Sequence, residues 1–126
     1  MQIHPLLQPY HRQNRILITF SQDENNTTYS KQIGIFEKNQ PAINERDLVI
    51  FKIFKENGLN PDQKQLSQQE VESLRKHFKI KNDFQMLLIG KDGTVKERYH
   101  EAVQMETINS LIDAMPMRKQ EMKKKP

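Results

Sequence analysis

The chain has no cysteine among its 126 residues. That absence removes disulfides, thiolate zinc sites, iron–sulfur ligation and thiol redox chemistry together. Apolar residues are also scarce, at 35%, because 13 Gln and 9 Asn take surface positions. Leu, Ile, Val and Phe still make up about a quarter of the chain, above the roughly 20% below which highly charged chains stay disordered. No apolar run approaches the ~20 residues that cross a bilayer, so no membrane span is expected. A chain of this length has room for one hydrophobic core and one domain.

The formal net charge is +4, with a pI of 9.3, but it is unevenly placed. Arg118, Lys119, Lys123, Lys124 and Lys125 are opposed only by Glu121, and the preceding 117 residues balance 15 basic against 15 acidic groups. A folded nucleic-acid binder shows a basic face with aromatics or a groove-reading helix. Neither is visible, so nucleic acid is not an expected partner. Residues 118–126 read as a solvated basic tail, capable at most of weak, salt-sensitive attraction to polyanions. Deleting Lys119 to Pro126 should then leave folding nearly unchanged, since terminal segments are mobile unless tied down.

Residues 1–14 read as a polar, Pro-containing lead-in. They lack the apolar core of a signal peptide, so a native start at Met1 implies a cytoplasmic protein. Ile16 to Phe20 is a short, largely β-branched run and reads as a strand buried on both faces. Tyr29, Ile33 and Phe36 mark one stripe of a helix that ends near Asn39, before Pro41. Asp47 opens a second strand, Leu48 to Phe54. Glu56 to Gln65, with Asn-Gly and Asn-Pro, reads as a loop. Ser67 and Glu70 form a capping box ahead of a helix with Val71, Leu74 and Phe78 on one side. Phe84 to Ile89 is a third strand, turned by Gly90-Lys91-Asp92-Gly93 into a charged fourth, Thr94 to Tyr99, that suits an edge. A last helix carries Ile108, Leu111, Ile112 and Met115 and stops at Pro116.

The order β-α-β-α-β-β-α predicts an α/β, thioredoxin-like domain over residues 15–117. Its mixed four-stranded sheet has order 2-1-3-4, with the third strand antiparallel to the first and helices on both faces. The helices that start near Asn26 and Gln104 share one face, and the Ser67 helix takes the other.

Four blocks carry a family resemblance: Glu45-Arg46-Asp47-Leu48-Val49, Leu74-Arg75 with Phe78, Leu88 to Gly93 with Val95 and Lys96, and Leu111 to Arg118 with Gln120 and Glu121. In this order they resemble the domain of unknown function 4174 family, also called P-DUDES, over roughly Arg15 to Met122. The resemblance implies a thioredoxin-like fold without redox cysteines. It also implies an exported protein, periplasmic or secreted, if a signal has been removed from this chain. Bacterial members of the family often have Phe-Ala-Pro after the first strand, where this chain reads Phe20-Ser21-Gln22.

In thioredoxin-like enzymes the nucleophilic thiol follows that strand, at a helix N-terminus that lowers its pKa. Here the stretch is Ser21-Gln22-Asp23-Glu24-Asn25-Asn26, and no thiol activity is expected. Gln85 or Phe84 stands where those enzymes have a cis-proline. The loop offers backbone donors for an anion or a peptide main chain, or its Asp23, Asn25, Asn26 or Thr27 caps the helix. Arg46, Arg75 and Lys91 are the polar residues least explained locally. They would either pair with acids at the ends of the sheet or hold a small carboxylate-bearing ligand. Asp113 and Arg118 are placed to pair across Pro116. His4, His11, His77 and His100 have no metal-ligand spacing, so no metal or other cofactor is expected. The expected function is a non-catalytic module that binds a protein or peptide through Ser21, Asp23, Arg46, Arg75 and Lys91. The alternative is a non-redox hydrolase or transferase that uses Arg and Asp groups at the strand ends.

Overall fold

The computed structural model describes residues 3–81 and 83–124. A 3-10 helix (Pro5–Tyr10) leads into β1 (Arg15–Ser21), α1 (Thr27–Glu37), α2 (Gln40–Glu45) and β2 (Leu48–Ile53). Then come β3 (Gly58–Leu59), β4 (Gln65–Leu66), α3 (Gln68–His77), β5 (Phe84–Ile89) and β6 (Val95–Tyr99). Helices α4 (Met105–Asp113) and α5 (Pro116–Lys124) close the chain.

β1 is the centre of the sheet and is buried along its whole length. It pairs in parallel with β2, Ile18 opposite Phe51, and antiparallel with β5, Ile18 opposite Leu87. The sheet order is β4-β3-β2-β1-β5-β6, so the predicted 2-1-3-4 core is present, with two short strands added beyond β2. Alternation along each strand splits the core into two layers. Leu17, Leu48, Met86 and Leu88 meet Phe36 of α1, Ile43 of α2 and Ile108 and Ile112 of α4. On the other face Ile16, Ile18, Phe51, Leu87 and Ile89 meet Val71, Leu74 and Phe78, joined by Leu7 of the 3-10 helix. Each fully buried Leu, Ile or Phe contributes about 1.5–3 kcal/mol to holding these layers closed. The capping box of α3 forms as predicted: the Glu70 N–H donates to Ser67 Oγ (3.1 Å), and the Ser67 N–H donates to Glu70 Oε1 (2.9 Å). The β5–β6 turn needs its glycine, since Gly93 has φ +87°.

Two expectations are corrected and one is extended. The stretch read as a loop contains β3 and β4, joined by a turn in which Asn60 Oδ1 accepts from the N–H groups of Asp62 (2.8 Å) and Lys64 (3.0 Å). The first helix ends at Glu37, before Pro41 as expected, but a second, unexpected helix follows at once, with Pro41 in the first turn of α2, where its missing N–H is no loss. The described part of the segment read as a solvated tail is helical: α5 runs from Pro116 to Lys124, and Arg118 is 1% exposed, while Lys125 and Pro126 lie outside the described residues. The domain therefore continues past residue 117. Lys119 and Lys123 of this helix remain exposed.

Candidate functional site

The five residues singled out from the sequence divide between opposite ends of the sheet. Ser21, Asp23 and Arg75 lie at the carboxyl end of β1. Arg46 and Lys91 lie at its amino end.

At the carboxyl end, the chain leaving β1 satisfies itself. Ser21 Oγ donates to the Asp23 carbonyl (3.1 Å), and Asp23 Oδ1 accepts from the Asn25 N–H (2.9 Å). Asn26 caps α1 by accepting from the Tyr29 N–H (2.9 Å). Arg75 is half-buried and donates from Nη1 to the Ser21 carbonyl (3.4 Å). Burial lowers its pKa. Beneath the loop, Tyr29 stacks edge-on with Phe54, ring centroids 5.1 Å apart. Burial, with Glu24 and Glu37 nearby, pushes its phenol up to about 12, so it stays neutral.

The loop after β1 and the turn after β2 enclose a depression of about 420 Å³, between Gln22–Asn25 and Phe54–Asn57. It shares Glu24, Phe54 and Asn57 with a second, of about 280 Å³, that reaches Gly58, Leu59 and Gln65. It shares Lys55 and Glu56 with a third, of about 310 Å³, that reaches Gln68, Glu72 and Arg75. The three adjoin around the loop after β1 and the turn after β2, at the carboxyl ends of these strands. Lys55 bridges the two walls, its N–H donating to the Gln22 carbonyl (3.1 Å).

At the amino end, four cations alternate with four carboxylates. Arg46 forks onto Asp113, at 3.1 and 2.9 Å. Arg118 donates to Asp113 (3.0 Å) and to Glu45. Lys91 donates to Asp47 (2.9 Å) and Glu121 (2.7 Å), and Arg15 to both oxygens of Glu121. The Asp113–Arg118 pair read from the sequence is present, but Arg118 is buried rather than exposed. Arg46 and Lys91 thus have their charges answered within the fold, and Arg75 is remote from them. Sequence reasoning did not count Arg15, Glu45 or Glu121 among the site residues, although Glu45 and Glu121 fall in the family-like blocks. The available signal was a charged residue heading an apolar strand and a lone acid in a basic segment. His4 is buried, with Nε2 2.8 Å from Ser73 Oγ, and its ring lies edge-on to that of His77. Among the described residues, no group of three His, Asp or Glu could hold a metal ion.

Residues 6–121 match the family model described as Domain of unknown function (DUF4174). The chain belongs to this family. It is 30% identical to Sushi repeat-containing protein SRPX2 of Rattus norvegicus over 124 residues, covering 93% of this chain and 26% of that protein. It is 46% identical over 54 residues to Coiled-coil domain-containing protein 80 of Danio rerio, covering 41% and 6%. The chain therefore spans about a quarter of the first of these relatives and far less of the second. Among solved structures it resembles reduced 2-Cys peroxiredoxin of Plasmodium vivax, with TM-score 0.68 and 16% identity over 90% of this chain and 84% of that one. StoA from Bacillus subtilis superposes with TM-score 0.54 and 13% identity, covering 78% and 81%. At such identities the likeness shows the fold alone, and the fold is thioredoxin-like. With no cysteine, this DUF4174 chain has no sulfur nucleophile for thiol peroxidase chemistry.

Proposed function

We propose that this DUF4174 domain is a non-catalytic module that binds an extended segment of a protein or peptide along the three adjoining depressions, as one groove, at the carboxyl ends of β1 and β2. The observation that supports it is that three adjoining depressions share lining residues there, reaching Gln65 in one and Arg75 in another. A groove so arranged suits an extended chain better than a compact substrate. Its walls offer main-chain groups and the side chains of Asp23, Glu24, Lys55 and Glu56 as hydrogen-bonding partners. One oxygen of Asp23 holds the loop by accepting from the Asn25 N–H, which suits a preformed binding surface. In keeping with the family resemblance, the module is taken to work outside the cytoplasm.

Selection of short peptides displayed on phage against the immobilised domain tests the reading. Asn25 and Asn57 are exposed and line the groove, so Asn25→Trp and Asn57→Trp fill it without touching the core. Selected peptides should bind either variant about tenfold more weakly, the loss of about 1.4 kcal/mol. Peptides that bind both variants as well as the parent would place binding elsewhere and overturn the reading. So would a selection that enriches nothing.

A further inference from the structure

β2 is paired on its outer side over only part of its length. β3 joins it through Lys52 and Ile53, whereas Leu48 to Phe51 pair with β1 alone. Pro61 explains where β3 stops. Lacking an N–H, it cannot extend the ladder, and the Asn60 turn sends the chain away just where it would have run on beside Ile50. About 13 Å of strand edge is left open, at roughly 3.3 Å per residue.

The direction of the unpaired groups follows from alternation along the strand. The Lys52 carbonyl faces β3, because a Cβ built on Gly58 would lie 2.8 Å from it. The Phe54 N–H likewise donates outward, to the Asn57 carbonyl (2.8 Å). The Phe51 carbonyl, one residue out of phase, accepts from Thr19 Oγ on the β1 side (3.3 Å). The N–H and C=O groups of Ile50 and Leu48 therefore point to the open edge.

A depression of about 280 Å³ runs along this edge and touches Leu48, Val49, Ile50 and Lys52. Its wall is mixed: Ile33, half-buried, and the edges of the buried Phe36 and Ile43 supply the apolar part, Gln40 and Asn44 of α2 the polar part, and Pro61 and Gln63 of the turn after β3 also line it. The charged groups lining it are Glu37 and Lys52. Because α1 returns from the end of β1 to the start of β2, Glu37 at its close lies toward Leu48. Lys52 marks the opposite end, so the trough has an anionic and a cationic end.

We propose that the open edge of β2 is a second docking surface, distinct from the loop-end groove, that takes an extended segment of a partner protein as an added strand. The segment runs antiparallel to β2, the more stable pairing, and so continues the direction of β3. Main-chain bonds to Ile50 and Leu48 supply the affinity, and alternate side chains of the segment lie over the mixed wall, where Ile33 offers the apolar contact. Charge complementarity sets its ends: an acidic residue first, beside Lys52, and a basic residue last, beside Glu37.

The test uses the whole isotope-labelled chain and the capped peptide Glu-Val-Thr-Val-Thr-Lys, followed by NMR. Its addition should shift the amides of Leu48 and Ile50 and slow their exchange with solvent. The peptide with its terminal charges exchanged should bind about two- to fivefold more weakly, the scale of exposed ion pairs. Glu37→Lys combined with Lys52→Glu should reverse that preference. N-methylation of one alternate set of peptide residues, and not of the other, should abolish binding, since only alternate residues of an added strand face β2. Unmoved Leu48 and Ile50 amides would overturn the proposal. So would indifference to either N-methylation or to charge order. Shifts confined to Gln22–Asn25 and Asn57 would overturn it while supporting the groove. Concentration-dependent shifts of the same amides without peptide would identify a second copy of the chain as the occupant and overturn the partner segment argued for here.

Discussion

Arg15 and Glu121 stand 106 positions apart in the sequence and meet fork to fork, Nη1 to Oε1 at 3.2 Å and Nη2 to Oε2 at 3.1 Å. The pair ties the first residue of the central strand to the last helix. Arg15 is 1% exposed and the Glu121 side chain 25%, so the guanidinium has left water while its partner keeps a view of it. Removing a cation from water costs several kcal/mol, recovered only through close, well-aligned bonds. Such a network adds little over an apolar contact of the same size, but it is costly to break.

Glu121→Ala should therefore lower the unfolding free energy by about 3 kcal/mol, because it leaves Arg15 buried and removes one of the two partners of Lys91. Truncation before Arg118 should cost at least as much. Lys123→Ala, on the exposed side of α5, should be indistinguishable from the parent. Urea unfolding measures all three. A Glu121→Ala loss below about 0.5 kcal/mol, the range of ordinary surface changes, would mean that α5 is only loosely held.

The same network predicts a pH dependence. Hydrogen bonds from Arg46, opposed by burial and joined by those from Arg118, lower the pKa of Asp113 below its ordinary 3.8. For Glu121 burial acts upward, but bonds from Arg15 and Lys91 outweigh it and hold the pKa below its ordinary 4.5. Both carboxyls have lower pKa values folded than unfolded. Their contribution is complete above about pH 4.5 and is lost as the pH falls through the folded values. The Tm should therefore fall more gently in Glu121→Gln than in the parent over that acid range. The difference between the two curves separates this carboxyl from His4, whose pKa burial and His77 lower. Parallel curves would exclude Glu121 from the effect.

The four main strands, the two-layer core and the α3 cap were legible because each is written in local residue order. Ile16 to Phe20 can only be a buried strand, and Ser67 with Glu70 announces its own helix. The clasp was not legible, since nothing near Arg15 or Glu121 hints at a partner more than a hundred residues away. A segment as charged as residues 118–126 reads as solvated until the cations facing Glu121 are in view. The candidate site was legible in part. Composition excluded thiol chemistry, and Arg46, Arg75 and Lys91 stood out as locally unexplained. Only the folded chain shows that Arg46 and Lys91 share one network and that Arg75 belongs to the other end. The open edge of β2 was hidden for the same reason: Pro61 reads as a loop residue, and its effect appears only once β3 lies beside Lys52.

Gln32 gives the last prediction. It is 0% exposed in the middle of α1, on the face turned to the core. Its Nε2 donates to the Val103 carbonyl (3.1 Å), and its Oε1 accepts from the Val103 N–H (2.8 Å). One side chain thus mimics a strand neighbour and satisfies both main-chain groups of the connection between β6 and α4. Gln32→Leu keeps much of the volume but strands a part-buried donor and acceptor, each costing about 1–3 kcal/mol when unmet. The expected loss is about 2–4 kcal/mol, larger than a methylene-scale packing change would give. Gln32→Glu should be comparably harmful at neutral pH, because a carboxylate can accept from the Val103 N–H but cannot donate to its carbonyl. It should recover partly in acid, when the protonated side chain regains a donor. Denaturant unfolding of both variants near pH 7 and near pH 4 measures this. A Gln32→Leu variant as stable as the parent would show that water replaces the lost bonds and that the β6–α4 connection does not depend on α1.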